Sequence, residues 1–408
     1  MTEVLFDEKQ ILRKERLYVV ILAAIQVVHI MDFVIMMPLG PQFIRAFDIT
    51  TTQFSFLVAS YSISAGVIGF MGALYADHFD RKRFLLFNFT GFIIGTFMCA
   101  IAPGYLSLMI ARIIAGAFGG ILNACVLSIV SDLIPFQRRG NAMGVIMSSF
   151  SISSVIGVPI GLGIANSFGW HYTFYFICAV ALIFWILAAF VLPSLKVRAE
   201  KMSLKENLKN FKSILSQKDY LQSFMLTSVL GFGIFMIVPF LSIFMVKNVG
   251  ILETQLHYIY IAGGLCTVIS ARLIGKLCDK HGSFRMFKWV ASLSLLPILL
   301  LTNLPPLPLG FALTATSLFM MTGSGRFIPA MTLVTAVVKP KERGTFMSLE
   351  NSARQLSSGI ASQVAGLIIG STSAGALTHF DIVGICGAIT SLVAIFIAFR
   401  IKTKFNLR

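Results

Sequence analysis

Charge is scarce in this sequence of 408 residues: Asp, Glu, Lys and Arg together make up 12%, and the acidic residues number only 17. A soluble domain carries about a quarter charged residues and is about half apolar. Here 57% of residues are hydrophobic and the mean hydropathy is +0.86, which excludes a soluble globular protein, because too little polar surface exists to cover one. Cysteine is sparse as well. The six (Cys99, Cys125, Cys178, Cys266, Cys278, Cys386) form no CxxC pair and all fall inside or at the ends of apolar segments, which argues against a zinc site and a disulfide framework. No P-loop, metal-ligating cluster or nucleophile–base motif occurs, so neither an enzyme nor an ATP-driven pump has support, and neither metal nor cofactor is expected. Nor does a small-residue cleavage site follow the charged N-terminus (Glu8, Lys9, Arg13, Lys14, Arg16). The first apolar run therefore reads as a retained helix and not as a signal peptide.

What the sequence has in abundance is long apolar runs, and 37 Phe. Runs of about eighteen residues or more mark membrane-spanning helices. They fall at 17–38, 52–76, 84–102, 105–131, 141–166, 171–193, 219–246, 255–278, 285–302, 309–337, 345–370 and 380–400, and the longest stretch without one is 194–218. The expectation is an all-α membrane protein with an N-terminal six-helix bundle over 1–193, a cytoplasmic linker over 194–218 and a C-terminal six-helix bundle over 219–408. The net charge of +16 would suit a nucleic-acid partner, but the basic residues alternate between loops instead of gathering in one domain. With the N-terminus in the cytoplasm, 28 of the 33 Lys and Arg lie in inside segments, two (Arg45, Lys247) in outside loops and three (Arg112, Arg326, Arg354) within spans. By the positive-inside rule both termini are cytoplasmic, and topology alone accounts for the charge. Lipid is then a partner and nucleic acid is not.

The linker carries a local signal. Ser203-Leu-Lys-Glu206 has the spacing of a capping box, in which each end satisfies the other's free backbone N–H. Leu204, Leu208, Phe211, Ile214 and Leu215 recur at helical spacing, with Lys205, Lys209 and Lys212 between them. An amphipathic helix on the anionic inner leaflet and a solvated tether both fit. The halves also echo each other. Gly72-Ala-Leu-Tyr-Ala-Asp77-His-Phe-Asp80-Arg81-Lys82-Arg83 follows the second segment, and Gly275-Lys-Leu-Cys-Asp279-Lys-His-Gly282-Ser-Phe-Arg285 follows the eighth. Pro135-Phe-Gln-Arg138-Arg139-Gly140 enters the fifth segment and Pro340-Lys-Glu-Arg343-Gly344 the eleventh. A repeat of roughly two hundred residues joined by a basic linker is how many secondary transporters are built.

With these motifs the chain resembles the major facilitator superfamily of transporters over essentially its full length, and most the twelve-helix drug/sugar efflux (drug:proton antiporter) branch. The 2–3 loop is similar to the superfamily signature Gly-x-Leu-x-Asp-x-x-Gly-Arg-Lys, with Asp77, Arg81 and Lys82 in register and Ala73 and Asp80 at the two glycines. The resemblance implies a cytoplasmic latch: Asp77 faces the positive end of a helix from the other half, and Arg81 pairs with an acid ending helix 4, where Asp132 stands. Asp279 and Arg285 repeat the pattern in the second half. Ordinary positive-inside charge is the alternative account of the same residues, and the ordered acid-then-base spacing favours the latch. In helix 5, Gly157-Val-Pro159-Ile-Gly161-Leu-Gly163 resembles the antiporter glycine–proline motif, with Val158 inserted where Gly and Pro are adjacent in the family. Gly157 and Gly161, one turn apart, permit close helix approach. Gly169-Trp170-His171 resembles the family's entry to helix 6, with His171 where Arg is usual.

Charges inside the membrane are costly unless paired or wet, and so mark function. Five stand within spans: Asp32, Arg112, Arg326, Glu350 and Arg354. At a rise of about 1.5 Å per residue, Asp32 lies about 9 Å below the outer end of helix 1 and Arg112 about 10 Å below the outer start of helix 4, so they can pair. Arg112 also resembles the family's helix-4 arginine, linked there to proton coupling. His29 precedes Asp32 by three positions and shares its helix face. A His29–Asp32–Arg112 group that protonates during transport and a permanently ionised structural bridge are the two readings. On the same rise Arg326, Glu350 and Arg354 reach similar depth near the midplane, where they either bind substrate or tie helix 10 to helix 11. The function expected is export of small organic molecules by a monomer in the bacterial cytoplasmic membrane, by alternating access driven by proton influx. A sugar or organic-anion exporter or importer without proton coupling is the alternative, and a non-cycling transporter-like sensor is a third reading.

Overall fold

In lipid no water satisfies backbone N–H and C=O groups, so each apolar run must close its hydrogen bonds within a helix. A computed structural model of the chain describes residues 2–75, 79–194, 211–339 and 342–405. Asp77 and the Ser203–Glu206 capping box lie outside the described residues. Twelve long helices follow the twelve apolar segments. In the first half they are α1 (Thr2–Ile35), α2 (Thr51–Tyr75), α3 (Arg81–Ala100), α4 (Tyr105–Leu133), α5 (Phe136–Ile152 and Val158–Phe168) and α6 (Trp170–Val191). In the second they are α7 (Lys218–Phe244), α8 (Leu256–His281), α9 (Ser283–Thr302), α10 (Leu309–Gly325 and Phe327–Val337), α11 (Arg343–Ile368) and α12 (Phe380–Phe405). A short helix at Gly40–Phe47 and an antiparallel pair of two-residue strands, Gly370–Ser371 with Leu377–Thr378, were not expected; both are too brief to leave a periodic signal.

Ten of these helices are long and apolar enough to cross a membrane. The other two depart for separate reasons. Proline breaks α10: Pro329 lacks the N–H that would bond the Gly325 carbonyl four residues back, and the helix is interrupted at Arg326, between the two. α11 is too polar, with serines along its length, because it packs between α2 and α7 instead of facing lipid alone. In α5, Pro159 likewise cannot bond Val155, and the helix passes through a π turn, Ser153–Gly157, with the Val158 N–H reaching back to Ser153. A π turn holds one residue more than an α turn.

The helix ends are fixed locally. Asp80 caps α3, its carboxylate accepting from the Arg83 N–H at 2.9 Å and from Ser194 Oγ, past the end of α6, at 2.8 Å. Partial burial opposes ionisation, but those bonds and the nearby Arg83 charge hold the Asp80 carboxyl below its ordinary range. The acid that replaces the signature's second glycine is therefore an N-cap.

Within the first half α4 packs on α2 and α3, and α1 on α5 and α6; in the second α7 packs on α11 and α12, and α8 on α10. Across the halves α2 lies against α11 and α5 against α8. We call the face with the chain ends the basic face and the opposite one the distal face. At the distal face the halves are joined: Thr52 Oγ1 donates to the Gly366 carbonyl at 2.6 Å, and the rings of Phe33 (α1) and Phe235 (α7) lie 5.7 Å apart. α5 and α8 meet closely at Val155 and Gly264, where an added Cβ would stand 2.7 Å from the Val155 side chain; Gly140, Gly144 and Gly275 have nothing within 4 Å of where a Cβ would project. The linker residues 211–216 are helical, and Phe211 and Ile214 are buried, Phe211 against Phe70 of α2. One face of this segment meets protein, while Lys212, Ser213 and Ser216 are exposed.

Candidate functional site

The last turn of α1 carries Asp32, fully buried at 0% exposure. Its Oδ2 accepts from Arg112 Nη1 of α4 at 2.8 Å, and its Oδ1 from Thr96 Oγ1 of α3 at 3.3 Å. The same Arg112 nitrogen reaches the Asp32 backbone carbonyl at 3.4 Å. The Arg112 guanidinium sits over the Tyr61 ring of α2, Cζ 4.3 Å from the centroid. Small residues make room for this. A Cβ on Gly116 would stand 2.9 Å from Tyr61 Cα, and one on Gly119 would stand 2.5 Å from the Tyr61 hydroxyl and 3.1 Å from His29 Nε2. Four helices thus converge on one enclosed ion pair. Such a pair is net neutral, yet removing one member strands the other and costs about 3–5 kcal/mol.

Sequence reasoning named Asp32, Arg112 and His29 for this site. The structure brings the first two together but bonds His29 to neither. The His29 ring lies edge-on to Phe92 at 5.8 Å and 6.5 Å from Tyr61, and both its nitrogens lack a partner among the described residues. Thr96 and Tyr61 were missed, because one Thr and one Tyr in apolar helices look like any other packing residue.

At the basic face Arg81 Nε lies 3.1 Å from Asp132 Oδ2. Lys82 is half-buried, Asp279 and Arg285 are exposed, and none of the three makes an ion pair among the described residues. In α5, Gly157 and Gly161 abut Met31 and Ile35 of α1, at 3.1 and 2.8 Å from an added Cβ, and the Gly161 carbonyl accepts from Thr173 of α6 at 2.8 Å. Pro159 is half-buried between them. His171 takes a contact of 2.8 Å from Nδ1 to the Ala100 carbonyl, stacked on Trp170.

The profile of the Major Facilitator Superfamily matches residues 22–362, and again 223–406. The chain belongs to the major facilitator superfamily. It is a multi-pass membrane transporter of that superfamily, with its twelve-helix, two-bundle fold. An uncharacterised superfamily transporter of Bacillus subtilis (strain 168), YceJ, is 25% identical over 364 residues, 89% of each chain. Multidrug resistance protein 2 of the same organism is 24% identical over 69% of this chain and 71% of that protein. Among solved structures, the inward-facing, unoccupied bacterial homologue of the human lysosomal transporter Spinster superposes with a TM-score of 0.76 at 14% identity, covering 96% of this chain and 98% of that one. A D-xylose–proton symporter gives 0.74 at 16% identity over 92% and 96%. At these identities the structures speak to fold alone.

Three further groups complete this superfamily member. Arg326, Glu350 and Arg354 are not one cluster. Glu350 and Arg354 pair along α11, Oε1 to Nε at 3.5 Å, with the Arg354 side chain 33% exposed and Glu350 3%. The separation admits an ion pair but not a hydrogen bond, and Arg354 Nη2 donates instead to Asn351 at 2.8 Å. Arg326 points elsewhere, to Ser294 of α9 and Ser391 of α12. At the distal face, unforeseen from sequence, Arg45 of the short helix grips Glu253 of the 7–8 loop with two nitrogens, at 2.6 and 3.1 Å. Asn166 at the end of α5 reaches the Glu253 carbonyl at 3.5 Å and accepts from Gln42 at 2.9 Å. The pair spans the two halves.

Proposed function

We propose that this protein is an alternating-access exporter of small organic molecules in the bacterial cytoplasmic membrane, coupled to proton influx, with both termini cytoplasmic and halves over 1–193 and 219–408 joined by the linker 194–218. The observation that carries the reading is the enclosed Asp32–Arg112 pair on α1 and α4: a carboxylate beneath the distal end of the fold that can trade Arg112 for a proton when the surrounding helices part. Likeness to proteins named for multidrug resistance supports an efflux branch. The contacts that join the halves at the distal face support a cleft that opens to the cytoplasm, with Arg81–Asp132 near its mouth as part of a latch. On this reading the part-exposed Arg354, held by the buried Glu350, is the charged group of the second half that meets substrate, and the protein acts as a monomer.

The test is substrate-linked proton movement in energised inverted vesicles, read with a pH-sensitive dye against a panel of lipophilic cations, sugars and organic anions. Asp32→Asn keeps the shape and one acceptor oxygen; it should fold, with a lowered melting temperature, and lose proton movement, while Asp32→Glu retains it. Uphill, proton-coupled transport by Asp32→Asn would make the pair structural and put the coupling group elsewhere, whereas transport by the wild type with no proton movement would favour a carrier without proton coupling.

A further inference from the structure

Arg326 carries a positive charge that the described residues leave without a counter-charge. It is 1% exposed. Its Nη1 donates to Ser391 Oγ and, at 3.4 Å, to Ser294 Oγ. Both hydroxyls commit their own protons to backbone carbonyls, Ser391 to Gly387 at 3.0 Å and Ser294 to Ala291 at 2.7 Å. They therefore offer the guanidinium lone pairs but no charge. Nε and Nη2 have no partner among the described residues, and no described carboxylate pairs with Arg326. Arg112, in the fourth helix of the first half and equally buried, has Asp32 at 2.8 Å; Arg326, in the fourth helix of the second half, has no such acid.

Nε and one terminal nitrogen form an edge of the planar guanidinium fork, the geometry that takes up an anion with two parallel hydrogen bonds. A cation in the membrane interior persists where it is paired or wet. We propose that the Nε–Nη2 edge of Arg326 binds a small monovalent anion, either an inorganic ion or the carboxylate of a small organic acid, which supplies to the second half the charge that Asp32 supplies to the first. Arg326 is buried on α10 with its Nη1 held by α9 and α12, so the anion would act on the stability of the bundle and not travel with substrate. The proposal stands or falls independently of export and of proton coupling.

Purified full-length protein in detergent is moved from sodium gluconate, a bulkier anion, into sodium chloride, nitrate or acetate at equal ionic strength, and its unfolding midpoint is followed. A ligand that binds only the folded state raises the midpoint saturably. The wild type should gain a few degrees with at least one small anion, and Arg326→Gln should lose that response. A response to chloride or nitrate alone assigns an inorganic ion, and one to acetate alone a carboxylate. Equal midpoints in all four salts would overturn the site with the wild type alone. If Arg326→Gln does not fold, Arg326→Lys, which keeps the charge but not the fork, should need at least tenfold more anion; an unchanged response would sink the proposal.

Discussion

Arg112 is held from two sides, by the Asp32 carboxylate and by the face of Tyr61, while the Tyr61 hydroxyl is buried with no partner among the described residues. The ring is what the ion pair uses. Tyr61→Phe should leave thermal stability and proton movement unchanged or slightly improved, since it removes a buried group without a bond. Tyr61→Ala should lower stability by about 3–5 kcal/mol and impair coupling, because Arg112 loses its platform. A stable, fully coupled Tyr61→Ala would show that the ring is only filler; melting and vesicle assays on both variants decide it. Asp32 and Arg112 were legible in the sequence because a charge inside an apolar run is rare. Tyr61 was not, because its role comes from which helix lies opposite, and periodicity within α2 carries no record of that.

Glycines set how close the helices come. On α4 a Cβ at Gly116 would press on Tyr61 Cα at 2.9 Å and one at Gly120 on Ala65 Cα at 2.7 Å, and backbone cannot step aside as a side chain can. Gly116→Ala should therefore force α2 from α4 and cost about 1–3 kcal/mol, despite the better helix propensity of alanine. Gly163→Ala, where nothing lies within 4 Å of the added carbon, should be neutral or stabilising by up to about 1 kcal/mol. Detergent melting curves compare them, and equal effects at the two sites would refute the close-packing account. Most helix positions were readable from apolar runs to within about five residues, since lipid allows little else; α1 is the exception, beginning at Thr2 and not near residue 17, because its charged first turns carry no apolar signal. The π turn in α5 and the break in α10 were within reach only through Pro159 and Pro329, whose missing N–H groups locate the weak point but not how the chain resolves it.

Across the whole molecule the closed distal face depends on residues that sequence could not pair: Arg45 and Glu253 stand 208 positions apart, in loops with no periodicity. Arg45 is 65% exposed, so the bridge is worth only about 0.2–1 kcal/mol, enough to bias a two-state equilibrium without locking it. Glu253→Gln should lengthen the distance between spin labels at Ser167 and Asn303, one on each half, in a larger fraction of molecules, and the charge-swapped Arg45→Glu, Glu253→Arg pair should restore the wild-type distribution. Unchanged distances in Glu253→Gln would mean that Thr52, Gly366 and the Phe33–Phe235 contact keep the face shut unaided. An exposed clasp of this kind also answers to the medium that bathes it. Charges there interact over about 30 Å in 0.01 M salt but only about 8 Å at physiological strength, so fresh water tightens the fastening and brine slackens it. In the proposed orientation the outer hatch should therefore open in a larger fraction of molecules as the external salt concentration rises.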